Sequence, residues 1–141
     1  MGLWIKILMA VNVFLYRLTG GVVGGRMNGQ NVLLLTTVGR KSGKERITPV
    51  NYFRDGENYI LVGSNWGKPS QAAWYLNLMQ RPEAHIQVRG LKLSVAARTA
   101  DGDEYTRLWA YVTSLNHFYP RYQEQTRRRI PVVILTSQKP G

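Results

Sequence analysis

The punctuation between residues 32 and 64 constrains the fold most. Three short apolar or β-branched runs, Val32–Val38, Arg46–Arg54 and Tyr59–Ser64, are separated by the glycine-bearing break Gly39–Gly43 and by Asp55-Gly56. A crossover to a parallel strand takes roughly a dozen residues or more, so breaks this short predict antiparallel neighbours. Asp-Gly in particular supplies the positive φ that a tight hairpin turn requires. The pattern returns downstream, where His85–Arg89 and Leu91–Arg98 alternate around Gly90. The alternation predicts Ile86, Val88, Leu91, Leu93 and Val95 inward, with Gln87, Lys92 and Ser94 outward. Ile130–Thr136 reads as a last strand.

Helical signals fall between these runs. Ser70 is a favourable N-cap for a helix that ends at Gln80 before Pro82, with Ala73, Trp74, Leu76 and Leu78 on its apolar face. Asp103–Asn116 is a second helix with Leu108, Val112 and Leu115 on one side, and Tyr119–Arg129 is a short polar helix or turn. The order β-β-β-α-β-β-α-β lacks any βαβ alternation. It predicts an α+β chain, mainly antiparallel β, built as a barrel with peripheral helices.

That barrel unit is expected to span residues 32–141, a length suited to a single core. Ahead of it, Gly2–Tyr16 carries Leu3, Trp4, Ile7, Leu8, Val11 and Leu15 at helical spacing, giving an amphipathic helix over residues 1–17. Only ten residues separate Lys6 from Arg17, one of them Asn12, against the roughly 20 that cross a bilayer, and no small-residue cleavage site follows. Two placements fit this helix: lying in a membrane interface with Trp4 and Phe14 at headgroup depth, or docking on the protein's own core. Residues 18–31, with five glycines from Gly20 to Gly29, read as a connector.

Chemistry is bounded by what the chain lacks. With no cysteine and only His85 and His117, thiol nucleophiles, disulfides and histidine-rich metal sites are excluded, leaving hydroxyls, amides, cations or a borrowed cofactor. The formal charge of +11, from 19 Lys and Arg against 8 Asp and Glu, would concentrate polyanions near the surface. Four of those cations, Arg40, Lys41, Lys44 and Arg46, lie within seven residues around Ser42-Gly43. Such a turn converges cations and backbone N–H groups on one anion, although a solvated basic hairpin has the same composition. Ser64-Asn65-Trp66-Gly67-Lys68 followed by Trp74, Tyr75 and Asn77 offers either an aromatic wall for a planar ligand or ordinary helix packing.

A resemblance separates these options. The run Leu33-Leu34-Leu35-Thr36-Thr37-Val38-Gly39-Arg40-Lys41-Ser42-Gly43, then Arg46-Ile47-Thr48-Pro49, Asp55-Gly56, Val62-Gly63-Ser64 and Trp74-Tyr75-Leu76-Asn77-Leu78, is similar in order and spacing to the deazaflavin-dependent nitroreductase family. That family is also described as coenzyme F-420-dependent quinone reductases. Tyr119-Pro120-Arg121-Tyr122-Gln123 and Ile130-Pro131-Val132-Val133 extend the similarity over nearly everything after the glycine connector.

The resemblance implies a split β-barrel of the flavin-reductase and FMN-binding kind, and an oxidoreductase that takes hydride from reduced F-420 to a quinone-like acceptor such as menaquinone, or to a nitroaromatic. Arg40, Lys41 and Arg46 would hold the coenzyme's phosphate and polyglutamate tail. Ser42 and the backbone of Thr48, Pro49, Val50 and Asn51 would border it. Gly63, Ser64 and Asn65 would approach the deazaflavin ring, with Ala73, Trp74 and Asn77 closing the site. Ser64 and Tyr122 are the candidates for hydrogen bonds to the acceptor.

The chain departs from the nitroimidazole-reducing members, which carry a tyrosine near Asn51, a lysine near Asn65 and a tyrosine near Gln125. That argues against nitroreduction more than against quinone reduction. The implied location is cytoplasmic, peripheral on the inner face of the cell membrane if the first helix takes its interfacial placement. A non-catalytic flavin or lipid carrier on the same barrel is the alternative. A nucleic-acid partner, supported only by Arg127-Arg128-Arg129 and net charge, is not expected.

Overall fold

The computed structural model describes residues 26–27 and 30–138. The helix expected over residues 1–17 lies outside the described residues, as does most of the connector 18–31. Within that connector, strand β1 (Arg26–Met27) pairs antiparallel with Asn31 and Gln30. A short hairpin therefore occupies part of what composition alone reads as linker.

The remaining strands are β2 (Gln30–Val38), β3 (Glu45–Asn51), β4 (Phe53–Asp55), β5 (Asn58–Val62), β6 (Glu83–Val88), β7 (Leu91–Thr99) and β8 (Val132–Ser137). Helices α1 (Ala73–Gln80), α2 (Gly102–Leu115) and α3 (Phe118–Glu124) sit between them. Every pairing is antiparallel, and the sheet runs β3-β2-β6-β7-β8-β5-β4. None of the described helices is long and apolar enough to cross a membrane.

The expected strand Arg46–Arg54 is two strands. β3 pairs with β2, β4 pairs with β5, and Tyr52 lies between them. One continuous stretch of chain thus forms both edges of the sheet, β3 pairing with β2 on one side and β4 with β5 on the other, and its bend at Tyr52 curls the sheet towards a barrel. At the corner the Tyr52 N–H donates to the Asn31 carbonyl at 3.0 Å, so the departure from ladder pairing leaves no orphan donor.

Strand register sorts the apolar side chains into two cores. Leu33 opposite Val50, Leu35 opposite Ile86, Tyr59 opposite Leu135, Leu61 opposite Val133 and Ala84 opposite Val95 fill the barrel interior, and Leu78 from α1 joins them. The alternate residues Ile60, Val62, Val132 and Ile134 face outward and are covered by Leu108 and Val112 of α2 and Tyr119 of α3. β5 and β8 are therefore apolar on both faces, which explains why Tyr59–Val62 and Val132–Leu135 read as unbroken hydrophobic runs instead of alternating ones. Each fully buried leucine or isoleucine here contributes roughly 1.5–3 kcal/mol.

Three side chains fall where periodicity did not put them. Leu91 is 53% and Leu115 51% exposed. Leu91 is the residue at which β7 leaves its turn, and Leu115 is the last of α2, so both have run past the surface that would cover them. On α1, Ala73 is exposed while Asn77 is buried beside Leu78. Ser70 does not cap α1, whose N-cap is Ala72 without a side-chain hydrogen bond. Ser70 accepts from Asn65 Nδ2 instead, through its carbonyl at 2.9 Å and its hydroxyl at 3.4 Å.

Candidate functional site

The β2–β3 turn folds around Gly39. Its N–H donates to the Lys44 carbonyl at 2.8 Å, and its carbonyl accepts from the Gly43 N–H at 2.8 Å. A Cβ on Gly39 would lie 2.7 Å from Ser42 Oγ and 3.2 Å from the Lys44 carbonyl oxygen, so a larger residue here would displace the Ser42 hydroxyl from its place in the turn. Ser42 Oγ in turn accepts from the Lys44 N–H at 3.2 Å and from Arg46 Nη2 at 3.5 Å.

Helix α1 packs against β2 and fastens the turn. The buried Asn77 amide donates to Thr37 Oγ1 at 3.1 Å, while its Oδ1 accepts from the Arg40 N–H and from Arg40 Nη1. Between turn and helix is a cleft of about 570 Å³ lined by Arg40, Lys41, Ser42, Arg46, Thr48, Ala73, Trp74 and Asn77, together with Gly39, Glu45 and Ile47. Eight of the predicted site residues therefore meet around one cavity. Three cations face it against the single carboxylate of Glu45, and among the described residues the Lys41 ammonium has no hydrogen-bond or ion-pair partner.

The rest of the predicted set lies elsewhere. Pro49 and Asn51 continue along β3 beyond the cleft, and Val50 turns its side chain into the barrel interior, leaving only main chain to meet a ligand. Gly63, Ser64 and Asn65 leave the end of β5 on the segment that leads to α1. There Asn65, Trp66 and Gly67 take φ values of 47°, 60° and 75° in succession. Such a left-handed turn costs roughly 1–2 kcal/mol for each non-glycine residue in it. Tyr122 stands against this turn from α3: its ring meets Trp66 edge-on at 6.3 Å and stacks with Phe118 at 6.2 Å. Trp66 and Phe118 are mostly exposed. A second hollow of about 510 Å³ on the β2, β6 and β7 face contains none of the predicted residues.

Sequence reasoning missed Arg128. Its guanidinium donates from Nε to the Lys68 carbonyl at 3.0 Å, from Nη1 to the Gly63 carbonyl at 3.2 Å and Gln71 Oε1 at 2.8 Å, and from Nη2 to the Ser64 carbonyl at 2.7 Å. Burial lowers its pKa from the usual guanidinium value. In the sequence Arg128 is the middle of an Arg-Arg-Arg run, and nothing local distinguishes it from its neighbours. Arg129, by contrast, lies over the Tyr105 ring at 3.4 Å.

Comparison with known proteins agrees with this architecture. An F420H(2)-dependent quinone reductase of Mycobacterium tuberculosis is 38% identical over 133 residues, covering 92% of this chain and 89% of the relative. The solved structure of an F420-H2 dependent reductase superposes with a TM-score of 0.67 at 33% identity, over 74% of this chain and 92% of that one. A structure described as a domain-swapped dimer superposes with a TM-score of 0.71 at 30% identity, over 94% and 96%. The family model for F420H(2)-dependent quinone reductase matches residues 8–137; the split barrel, with its basic turn facing helix α1, belongs to a member of that family.

Proposed function

We propose that this oxidoreductase takes hydride from reduced F-420 to a quinone-like acceptor, gripping the coenzyme's anionic tail at the Arg40–Arg46 turn. The cleft between that turn and α1 carries the reading. Its cations Arg40, Lys41 and Arg46 have donors to spare, and Lys41 in particular is uncompensated. This donor set suits a phosphate and a run of carboxylates, each charge-assisted bond contributing roughly 1.5–3 kcal/mol. Ala73 and Trp74 provide the apolar wall that a planar heterocycle needs.

When bound, the reduced coenzyme supplies a hydride from carbon 5 of its ring system. The protein's part is position and charge. Ser42 and the main chain of Thr48 to Asn51 border the coenzyme, and Gly63, Ser64 and Asn65 approach its ring. The Ser64 hydroxyl, which makes no hydrogen bond among the described residues, donates to an acceptor oxygen as negative charge develops there. Tyr122 donates to a second oxygen and supplies a proton.

Menaquinone is the acceptor class this reading favours, with nitroaromatics secondary. Residues 1–17 would lie on the cytoplasmic face of the membrane and bring the site to lipid-soluble quinone, a placement supported by the Trp4, Lys6 and Phe14 pattern. The experiment is direct: purified protein is titrated with oxidised F-420, then given reduced F-420 and a menaquinone analogue. Quenching of coenzyme fluorescence followed by acceptor-dependent oxidation is the expected outcome. Protein that neither binds nor oxidises the coenzyme removes the proposal.

A further inference from the structure

Arg128 spends all its assigned donors on oxygen atoms of one loop, and that loop is the most strained segment described. Its partners straddle the left-handed turn: the Gly63 and Ser64 carbonyls precede Asn65–Gly67, and the Lys68 carbonyl and Gln71 amide oxygen follow it. Strain of this kind persists only where surrounding structure over-determines it. The main chain that carries this guanidinium is held from α3, where Gln123 Nε2 donates to the Arg128 carbonyl at 2.7 Å and Gln123 Oε1 accepts from the Ile130 N–H at 2.9 Å. Gln123 is the neighbour of Tyr122. The loop and α3 also meet directly, since a Cβ on Gly67 would lie 3.0 Å from Tyr122 Cα.

We propose that Arg128 is a positioning residue for the acceptor side of the site, fixing the loop that carries Ser64, whose Trp66 and Gly67 meet Tyr122, by clamping residues 63–71 to the segment that Gln123 holds. This rests on the functional reading above. The fork explains why an arginine is needed: a planar guanidinium reaches oxygens on both sides of the turn at once, and a lysine ammonium does not present that geometry. Arg128 does not touch the Arg40–Arg46 turn that grips the anionic tail, so its loss is expected to act far more on turnover than on coenzyme affinity.

The test compares the full-length parent with Arg128→Met, Arg128→Lys and Arg128→Ala. Hydrogen exchange is followed at the Gly67 and Lys68 amides, which bond to the Ser64 and Asn65 carbonyls, together with chymotryptic cleavage after the exposed Trp66. Coenzyme affinity is read by fluorescence, and kcat with a menaquinone analogue. Arg128→Met is expected to speed loop exchange and cleavage, and to lower kcat about tenfold or more with a much smaller loss of coenzyme affinity. Arg128→Lys should fall between it and the parent, and added guanidinium ion should restore part of the kcat of Arg128→Ala.

Parental exchange and kcat in Arg128→Met would overturn the proposal. So would equal losses of kcat and coenzyme affinity without guanidinium rescue, which mark general destabilisation. Should Arg128→Met fail to fold, Arg128→Lys carries the same comparisons. A parent that never oxidises the coenzyme refutes the functional reading, and loop exchange then judges the clamp alone, unchanged exchange refuting it.

Discussion

Asn77 Oδ1 accepts two hydrogen bonds from Arg40, one from its main-chain N–H at 3.1 Å and one from Nη1 at 3.3 Å. A buried amide on helix α1 thus holds the first residue of the basic turn 37 positions away in the chain. The same side chain anchors Thr37 at 3.1 Å, so one amide ties turn, strand and helix together.

Replacing Asn77 by Leu keeps the branched shape of the side chain and removes all three bonds. The stranded Thr37 hydroxyl and Arg40 N–H should lower stability by roughly 1–3 kcal/mol. Coenzyme affinity should drop in parallel, because Arg40 loses its orientation. Urea denaturation with fluorescence titration checks both, and a variant that binds like the parent would show that Arg40 needs no such support.

Lys41→Ala should separate binding from folding. The ammonium has no partner among the described residues, so thermal stability should hardly change. Affinity for F-420 should weaken about tenfold or more, the equivalent of one charge-assisted bond. The parent's affinity should also fall as salt rises, more steeply than the variant's. Equal affinities would mean the anionic tail lies elsewhere.

Gly67→Ala places a Cβ 2.5 Å from Gln125 Oε1 and 3.0 Å from Tyr122 Cα on a residue at φ +75°. Left-handed strain and the backbone clash together should lower stability by roughly 1–3 kcal/mol. They should also push the loop from α3 and reduce kcat. Asp55–Gly56 offers a control: Gly56 has φ +60° with open space for a Cβ, so Gly56→Ala should show the strain without the clash and leave kcat intact.

The Tyr119 hydroxyl is pushed up to about 12 from 10.0 by burial, which outweighs its hydrogen bonds with Asn51 and Asn116. The folded chain therefore holds this proton more tightly than the unfolded one. Stability should be fully present below the ordinary phenol pKa and decline as the solution passes from about pH 10 towards about pH 12, by up to roughly 2–3 kcal/mol. Burial raises Tyr105 as well, so Tyr119→Phe should shrink the alkaline loss without abolishing it. Denaturation midpoints measured between neutral and strongly alkaline pH would reveal the difference.

Much of the barrel was legible because its determinants are local. Asp55-Gly56 and the Gly39–Gly43 break announce their turns through backbone conformations that few residues adopt, and the Ile86, Val95 and Gly90 pattern announces a hairpin. The basic turn was legible for the same reason: four cations within seven residues show in any reading of the chain.

What the sequence by itself determined, then, was the strand menu, the antiparallel class and the charged turn, all encoded within about ten residues of one another. Tertiary structure alone decided the rest. The division of Arg46–Arg54 at Tyr52 follows from barrel closure, which obliges one stretch of chain to pair with β2 and then with β5. Ser70 does not cap because α1 starts only at Ala73, and it accepts instead from Asn65, brought near by the left-handed turn. Arg128 could not be told from Arg127 and Arg129 until folding carried it 64 residues back to Ser64. A guanidinium's function depends on which carbonyls surround it, and only the folded chain supplies them.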